Sequence, residues 1–557
     1  MRHRASVAAW VASVGCLCSL WGCDAPRSPV AASVAADAAT AGDDPCAALV
    51  EVADLTITSA RLVEAAGATP SYCYAKGFIR PGIRYHVQLP LPSDWNGRFL
   101  QWGDGGKDGD LDFADHRLAE GYAVANSNMG HDEGSEPGAS FAFDNRQAEI
   151  DFGYRAVHLT VNAAKSLIRS YYGRAADHAY FEGCSTGGRQ GLMEAQRYPT
   201  DFDGIVAGAP VIFYQELNAG HTWLLQRVFQ NDFAGNLAHD TNGDGRFDSL
   251  VKLEALHEAV LAKCDAIDGI SDRVIDDPLA CDFDPRTDLT VCPTGQDGAA
   301  CFTEPQLSTI EDFFSGPYDS RGHSIYKGRS PGAELDWAQY LPTETNGNFP
   351  AMLRGAANGH VTYLMYENDP GIQVPILNDL SYVPDKGRRP PEHAWWEFDI
   401  DDMTAGRADF MKAITNADDP DLRRFLLDHG GKLIVWHGWA DAGAPPEPTL
   451  DYYNDVVGVG FDGDLERARR HARLFMFPGM GHCAGGAGPD QWDPLTPLVT
   501  WVEQGTAPEH VVATHATDGV VDNERKVCAF PSVARYVGPD ASRNDAASWI
   551  EQNFVCE

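Results

Sequence analysis

An α/β fold split by a long insertion is what the residue pattern calls for, on three observations. Between residues 121 and 210, short apolar runs alternate with an amphipathic stretch, the alternation that builds a sheet covered by helices. In its middle stands Gly183-Cys184-Ser185-Thr186-Gly187, where glycines two places either side of a serine fit a tight strand-to-helix turn. Apolar runs of strand length then return only at 431–438 and 473–478. The expectation is an α/β-hydrolase core in two parts, 45–211 and 429–557, bracketing a lid domain over 212–428.

Residues 1–22 have the form of a bacterial secretory signal: Met1-Arg2-His3-Arg4 is basic, and an apolar run of small residues follows. The run ends in Leu20-Trp21-Gly22-Cys23, which resembles a lipobox with Cys23 as the acylated, lipid-anchored residue. Cleavage between Ala31 and Ala36 is the alternative. Residues 23–44 are a low-complexity Ala/Ser/Pro/Asp tether. The expected location is therefore outside the cytoplasm: periplasmic, lipid-anchored or secreted. A net charge of -37 leaves nothing to neutralise phosphates and argues against nucleic acid as a partner.

Cysteine usage agrees with export. Of 13 cysteines, ten lie beyond Cys23, an even number that favours disulfides in an oxidising compartment. Spacing suggests that neighbours pair: Cys46 with Cys73, Cys264 with Cys281, Cys292 with Cys301 and Cys528 with Cys556. Cys184 and Cys483 are left for each other. Metal ligation by these cysteines is the poorer reading, because no C-x-x-C pair is present.

The elements follow in chain order. Residues 85–92 alternate as a strand, and the turn at Asn96-Gly97 feeds another over 98–102. That strand opens into Gly103-Asp104-Gly105-Gly106-Lys107-Asp108-Gly109. A glycine-rich loop here lets backbone N–H groups face a substrate carbonyl, so Gly106 and Thr186 are the candidate oxyanion-hole residues. Residues 121–127 read as a strand, 155–168 as an amphipathic helix, 178–182 as the strand entering the elbow, and 189–195 as the helix leaving it. Residues 202–210 form a further strand ended by Pro210. The late strands carry Trp439-Ala440-Asp441 and Gly479-Met480-Gly481-His482 at their ends. Serine, acid and histidine in this order make Ser185, Asp441 and His482 the candidate triad of nucleophile, orienting acid and general base.

Gly-Cys-Ser-Thr-Gly-Gly-Arg-Gln at 183–190, Trp-His-Gly-Trp-Ala-Asp at 436–441 and Pro-Gly-Met-Gly-His-Cys at 478–483 together resemble the tannase and feruloyl esterase family. That family cleaves esters of aromatic carboxylic acids and includes tannases, feruloyl esterases and a hydrolase of mono(2-hydroxyethyl) terephthalate. The resemblance implies that Ser185, Asp441 and His482 are catalytic. It also implies that Cys184–Cys483 is the bridge joining the neighbours of serine and histidine. Over so long a loop the chain-entropy argument assigns the bridge roughly 5 to 6 kcal/mol.

The lid holds two acidic clusters. Asp265, Asp268 and Asp272 surround a glycine turn and, with the carbonyls of Ile270 and Val274, offer hard oxygen ligands; the resemblance implies a structural calcium ion there, and a solvated acidic turn is the alternative. Asp240, Asn242, Asp244 and Asp248 match the start of an EF-hand-like loop, but Val251 stands where its last carboxylate belongs. This is a possible second calcium. Trp395, Trp396 and Phe398 are candidate ring-stacking residues for substrate, with core packing the alternative. The expected function is a serine esterase of feruloyl- or galloyl-type esters with no organic cofactor. A terephthalate monoester hydrolase is the alternative, and a catalytically inactive hydrolase-fold binding protein is the alternative of another class.

Overall fold

Nine strands pair into one sheet: β1 Ile57–Val63, β2 Tyr72–Ile79, β3 Ile83–Pro90, β4 Arg98–Trp102, β5 Ala123–Ser127, β6 His178–Cys184, β7 Gly204–Gly208, β8 Lys432–Gly438 and β9 Ala472–Phe477. The computed structural model describes residues 45–136, 138–346, 352, 358–368, 394–540 and 543–557. The signal, the tether and Cys23 lie outside these. The spatial order is β1-β2-β3-β5-β4-β6-β7-β8-β9. The first three strands and β5 pair antiparallel, and from β5 to β9 every pairing is parallel.

Parallel strands are buried on both faces, so period-2 alternation distributes side chains between two cores rather than between core and water. Phe99, Phe181, Ile205, Leu433 and Leu474 join one apolar cluster. Their chain neighbours Leu100, Tyr180, Val206, Ile434 and Phe475 join the other. Each such side chain contributes roughly 1.5–3 kcal/mol of burial, which fixes the register of the four strands whose ends carry the site. Helix Ala156–Tyr172 leads into β6, and helix Thr186–Arg197 leaves it.

Between β7 and β8 the described residues form helices and loops, with no strand among them. They bury an apolar cluster of their own, which includes Leu253, Leu307, Phe313, Trp337 and Trp395. Residues 45–557 nevertheless make one compact unit. Beyond β9 the chain adds a two-stranded sheet of β10 His510–Thr517 and β11 Val520–Cys528. Asp518 and Gly519 join them with φ of 52° and 78°, the two positive values that a type I′ hairpin turn requires.

The ten cysteines beyond Cys23 form five disulfides, Cys46–Cys73, Cys184–Cys483, Cys264–Cys281, Cys292–Cys301 and Cys528–Cys556. Four close short loops, and the Cys184–Cys483 bond spans 299 residues.

Candidate active site

β6 ends at Cys184, and the next residue turns sharply, with Ser185 at φ 61° and ψ -120°. The two flanking glycines are needed for contact. A Cβ on Gly183 would lie 2.8 Å from the Gly187 carbonyl carbon, and one on Gly187 would lie 3.0 Å from the Asp104 oxygen. Side chains at either position would force the elbow open. β8 and β9 lie in the same sheet, two and three places along from β6. Their carboxyl ends therefore bring Asp441 and His482 to the serine.

The three side chains form one chain of hydrogen bonds. His482 Nε2 is 2.8 Å from Ser185 Oγ, and His482 Nδ1 is 2.6 Å from Asp441 Oδ2. Asp441 is fully buried, and its Oδ1 accepts from the Ala444 N–H at 2.7 Å. Burial acts to raise its pKa, but the charge of His482 and hydrogen bonds from His437 and His482 outweigh that and hold the carboxyl well below the usual range. Burial likewise acts to lower His482, yet Asp441, aided by Asp336, raises it above the ordinary imidazole value. This arrangement can take a proton from Ser185 and keep the resulting imidazolium paired.

The loop after β4 supplies the opposite wall. Gly106 is exposed at φ 52°, with open space where a side chain would stand, and the Thr186 hydroxyl donates to the Gly106 carbonyl at 2.8 Å. Buried Asp104 anchors the loop: its N–H donates to Gln190 Oε1 at 3.0 Å, and its carboxyl accepts from Gln190 Nε2 at 2.8 Å and Asn126 Nδ2 at 2.6 Å. Gln190 thus ties the candidate oxyanion loop to the helix that begins after the serine. The neighbouring Arg189, also buried, donates to the carbonyls of Phe152, Gly153 and Thr415. These are the structural tasks of the Arg-Gln pair, to which the sequence reading gave no role. Cys184 and Cys483, with Cα atoms 6.0 Å apart, join the residue before the serine to the residue after the histidine.

Two further residues near the triad were not singled out from sequence. His437 on β8 is buried against Asp441. Asp336 reaches from the lid 3-10 helix Glu334–Tyr340 to accept from the Ala442 N–H at 3.4 Å. Desolvation first, and the Asp441 charge second, push Asp336 up to about 6. The Trp-His-Gly-Trp-Ala-Asp motif contains His437, so its position in the motif was the available signal; nothing local marks Asp336.

In the lid, Asp265 Oδ1 accepts from the N–H groups of Asp272 and Arg273 at 3.2 and 2.9 Å. Asp268 Oδ2 is buried with no hydrogen-bond partner, and so is Oδ2 of Asp276. Fully buried Arg525, from β11, pairs with Asp272 and Asp276 and stands 3.6 Å from Asp268. Burial first, then the charge of Asp276, push Asp268 far up. The orphaned oxygen of Asp268 and the excess of carboxylates over cations are what a divalent ion held by hard oxygens would satisfy, but Arg525 already occupies Asp272 Oδ2. In the other loop Asp240 accepts from the N–H groups of Gly243 and Gly245, Asn242 from that of Asp244, Asp244 from that of Arg246, and Asp248 from Thr241. Among the described residues, three ligand atoms within 4.8 Å of one another occur instead at His158, Glu194 and Asp201, where burial and Asp201 push Glu194 far up.

The candidate ring-stacking residues lie elsewhere than the expectation required. Trp395 and Phe398 are 1% and 4% exposed in the lid's apolar cluster, and Trp396 packs against it. The Gln226 side-chain amide holds the carbonyls of all three. They are core residues of the lid, because three apolar rings in a short helical stretch bury more surface by packing on Phe229 and its neighbours than by facing solvent.

Comparison with known proteins gives the family. The family model for tannase and feruloyl esterase matches residues 72–551. A mono(2-hydroxyethyl) terephthalate hydrolase from Piscinibacter sakaiensis is 32% identical over 92% of this chain and 88% of that protein. A probable feruloyl esterase B-1 from Aspergillus fumigatus is 31% identical over 84% of this chain and 82% of that protein. Among solved structures, feruloyl esterase B from Aspergillus oryzae superimposes with a TM-score of 0.72 at 25% identity, covering 91% of this chain and 97% of that one. No helix among the described residues is long and apolar enough to cross a membrane. By the match to its model over most of the length, the chain belongs to the tannase and feruloyl esterase family.

Proposed function

We propose that the protein hydrolyses esters of aromatic carboxylic acids, of feruloyl or galloyl type, through an acyl-enzyme on Ser185. The observation that carries the reading is the continuous hydrogen-bond chain Ser185–His482–Asp441 at the end of a strained elbow. Ser185 Oγ attacks the ester carbonyl as its proton passes to His482 Nε2, and the oxyanion meets the N–H groups of Gly106 and Thr186. His482 then gives the proton to the departing alcohol. Water, deprotonated by the same nitrogen, attacks the acyl carbon; the proton returns to Ser185 as the aromatic acid leaves. Asp441 keeps the ring oriented and its charged form stabilised throughout.

A bound calcium ion would supply positive charge to the lid, with side chains of Asp265, Asp268 and Asp272 and the carbonyls of Ile270 and Val274 as its ligands. The 240–248 loop is the second candidate, and metal stoichiometry of the purified protein separates one site from two. Five disulfides support a role outside the reducing cytoplasm. Methyl ferulate, methyl gallate and a terephthalate monoester, each offered to wild type and to Ser185→Ala, test the reading. Turnover of the first two by wild type and none by the variant is expected. Turnover of the monoester alone favours the second reading, which the 32% identical relative supports. Failure on all three removes the aromatic-ester assignment.

A further inference from the structure

Within the triad reading above, on which this inference rests, the geometry points to a fourth member: we propose that His437 is a positioning residue that fixes the Asp441 carboxylate. His437 lies on β8, four residues before Asp441, and is fully buried. Its Nε2 stands 2.7 Å from the Ala444 carbonyl and 3.1 Å from Asp441 Oδ2, and its Nδ1 stands 2.9 Å from Thr449 Oγ1. A carbonyl oxygen can only accept, so Nε2 carries a proton. That one N–H is shared between Ala444 and the catalytic acid. The Thr449 hydroxyl, buried in the first turn of helix Glu447–Phe461, holds the far end of the ring.

The consequence is a carboxylate with one orientation. Asp441 sits on a loop beyond the end of β8, and loop side chains have rotameric freedom that strand residues lack. Here Oδ2 receives N–H groups from both His437 and His482, and Oδ1 receives the Ala444 N–H. Ala444 does two jobs, holding Asp441 with its N–H and His437 with its carbonyl, so the three residues close into one ring of hydrogen bonds. His437 therefore keeps Oδ2 aimed at His482 Nδ1. By drawing charge from the same oxygen, it also moderates how strongly Asp441 favours protonated His482. The other titratable and charged groups facing this pair come from the lid: Asp336 and Tyr340 on helix Glu334–Tyr340, Tyr326 and Arg329 before it, and His221 on helix Tyr214–Phe233.

Three variants test it on a neutral aromatic ester: His437→Leu removes the donor, His437→Gln keeps an N–H at the ring's far edge, and Thr449→Val loosens the ring's other end. His437→Leu is expected to lower kcat about 10- to 100-fold, the usual cost of losing an orienting partner, with KM within about twofold. Its acidic limb of kcat/KM moves to higher pH, because an Asp441 relieved of one donor binds the His482 proton more firmly. His437→Gln recovers most of the rate, and Thr449→Val shifts the limb the same way by less. A purely structural histidine would lower the melting temperature and leave the limb in place; that result, or a wild-type kcat in folded His437→Leu, overturns the proposal. If His437→Leu fails to fold, Thr449→Val decides by the same limb, and an unshifted limb there overturns the proposal. Ser185→Ala run alongside separates the two levels: activity retained there removes the triad reading, whereas a dead Ser185→Ala beside unaffected His437 variants removes only this inference.

Discussion

The catalytic end of the sheet and the acidic turn of the lid are built from the same materials, buried carboxylates close to cations, but in opposite states of completion. Asp441 has fixed N–H donors on both oxygens and is held well below the usual carboxylate range. Asp268 has a buried oxygen with no donor and is pushed far up. A carboxylate satisfied by its own chain is ready to work; one left short of donors gains from any cation near it, and the one its own chain brings is Arg525 at 3.6 Å. The first is a finished electrostatic site; the second, on the calcium proposal above, is a socket.

Breaking the finished site has the largest effect. Ser185→Ala is expected to lower kcat by about 10⁴-fold or more with an unchanged melting curve, and Asp441→Asn by about 10⁴-fold, both read by steady-state kinetics on the best aromatic ester. Breaking the socket acts on stability instead. Arg525→Met leaves buried Asp272 and Asp276 without their cation, a loss of about 3–5 kcal/mol in urea unfolding, while the rate per folded molecule stays within a few-fold of wild type. Chelation comes next: EDTA is expected to lower the melting temperature by several degrees, and added calcium to restore it, a linkage of about 2–3 kcal/mol when the ion is about a hundredfold above its Kd. An unchanged melt with no metal in the protein would make the socket an ordinary acidic turn.

The smallest effect gives the sharpest contrast. A carboxyl whose pKa rises on folding opposes folding once pH exceeds its unfolded value, about 3.9. A carboxyl whose pKa falls on folding supports it there and loses that support as pH drops. Asp268 is of the first kind and Asp441 of the second. In chelator at pH 7, Asp268→Asn should therefore raise the melting temperature slightly, and the gain should vanish near pH 4. In calcium the same substitution should lower it. For His482, raised above about 6.5, the acidic limb of kcat/KM should lie above that value, since only the neutral ring can accept the serine proton.

What was legible in the sequence was local. The elbow glycines, the order of Ser185, Asp441 and His482, and the strand runs that carry them are each set within a few residues of chain. Asp518-Gly519 between alternating runs is likewise a local signal, a strong one for the turn that joins β10 and β11. What could not be read is convergence between distant segments. Arg525 stands 253 residues from Asp272, and no pattern near either announces the pair. Asp336 meets the acid loop only because the lid folds over it. Trp395 and Phe398 failed for a different reason: aromatic identity is the same in a core and in a pocket, and only packing separates them.

The bond between Cys184 and Cys483 has a last consequence for a chain with so long an insertion. Every peptide bond between the two cysteines, the whole lid included, lies inside one covalent ring. A protease that cuts an exposed lid loop opens the ring without releasing either half, so serine and histidine remain on a single molecule. Such a nicked chain travels as one piece, and separates into two only when it is both reduced and unfolded, since β7 and β8 still pair across the cut.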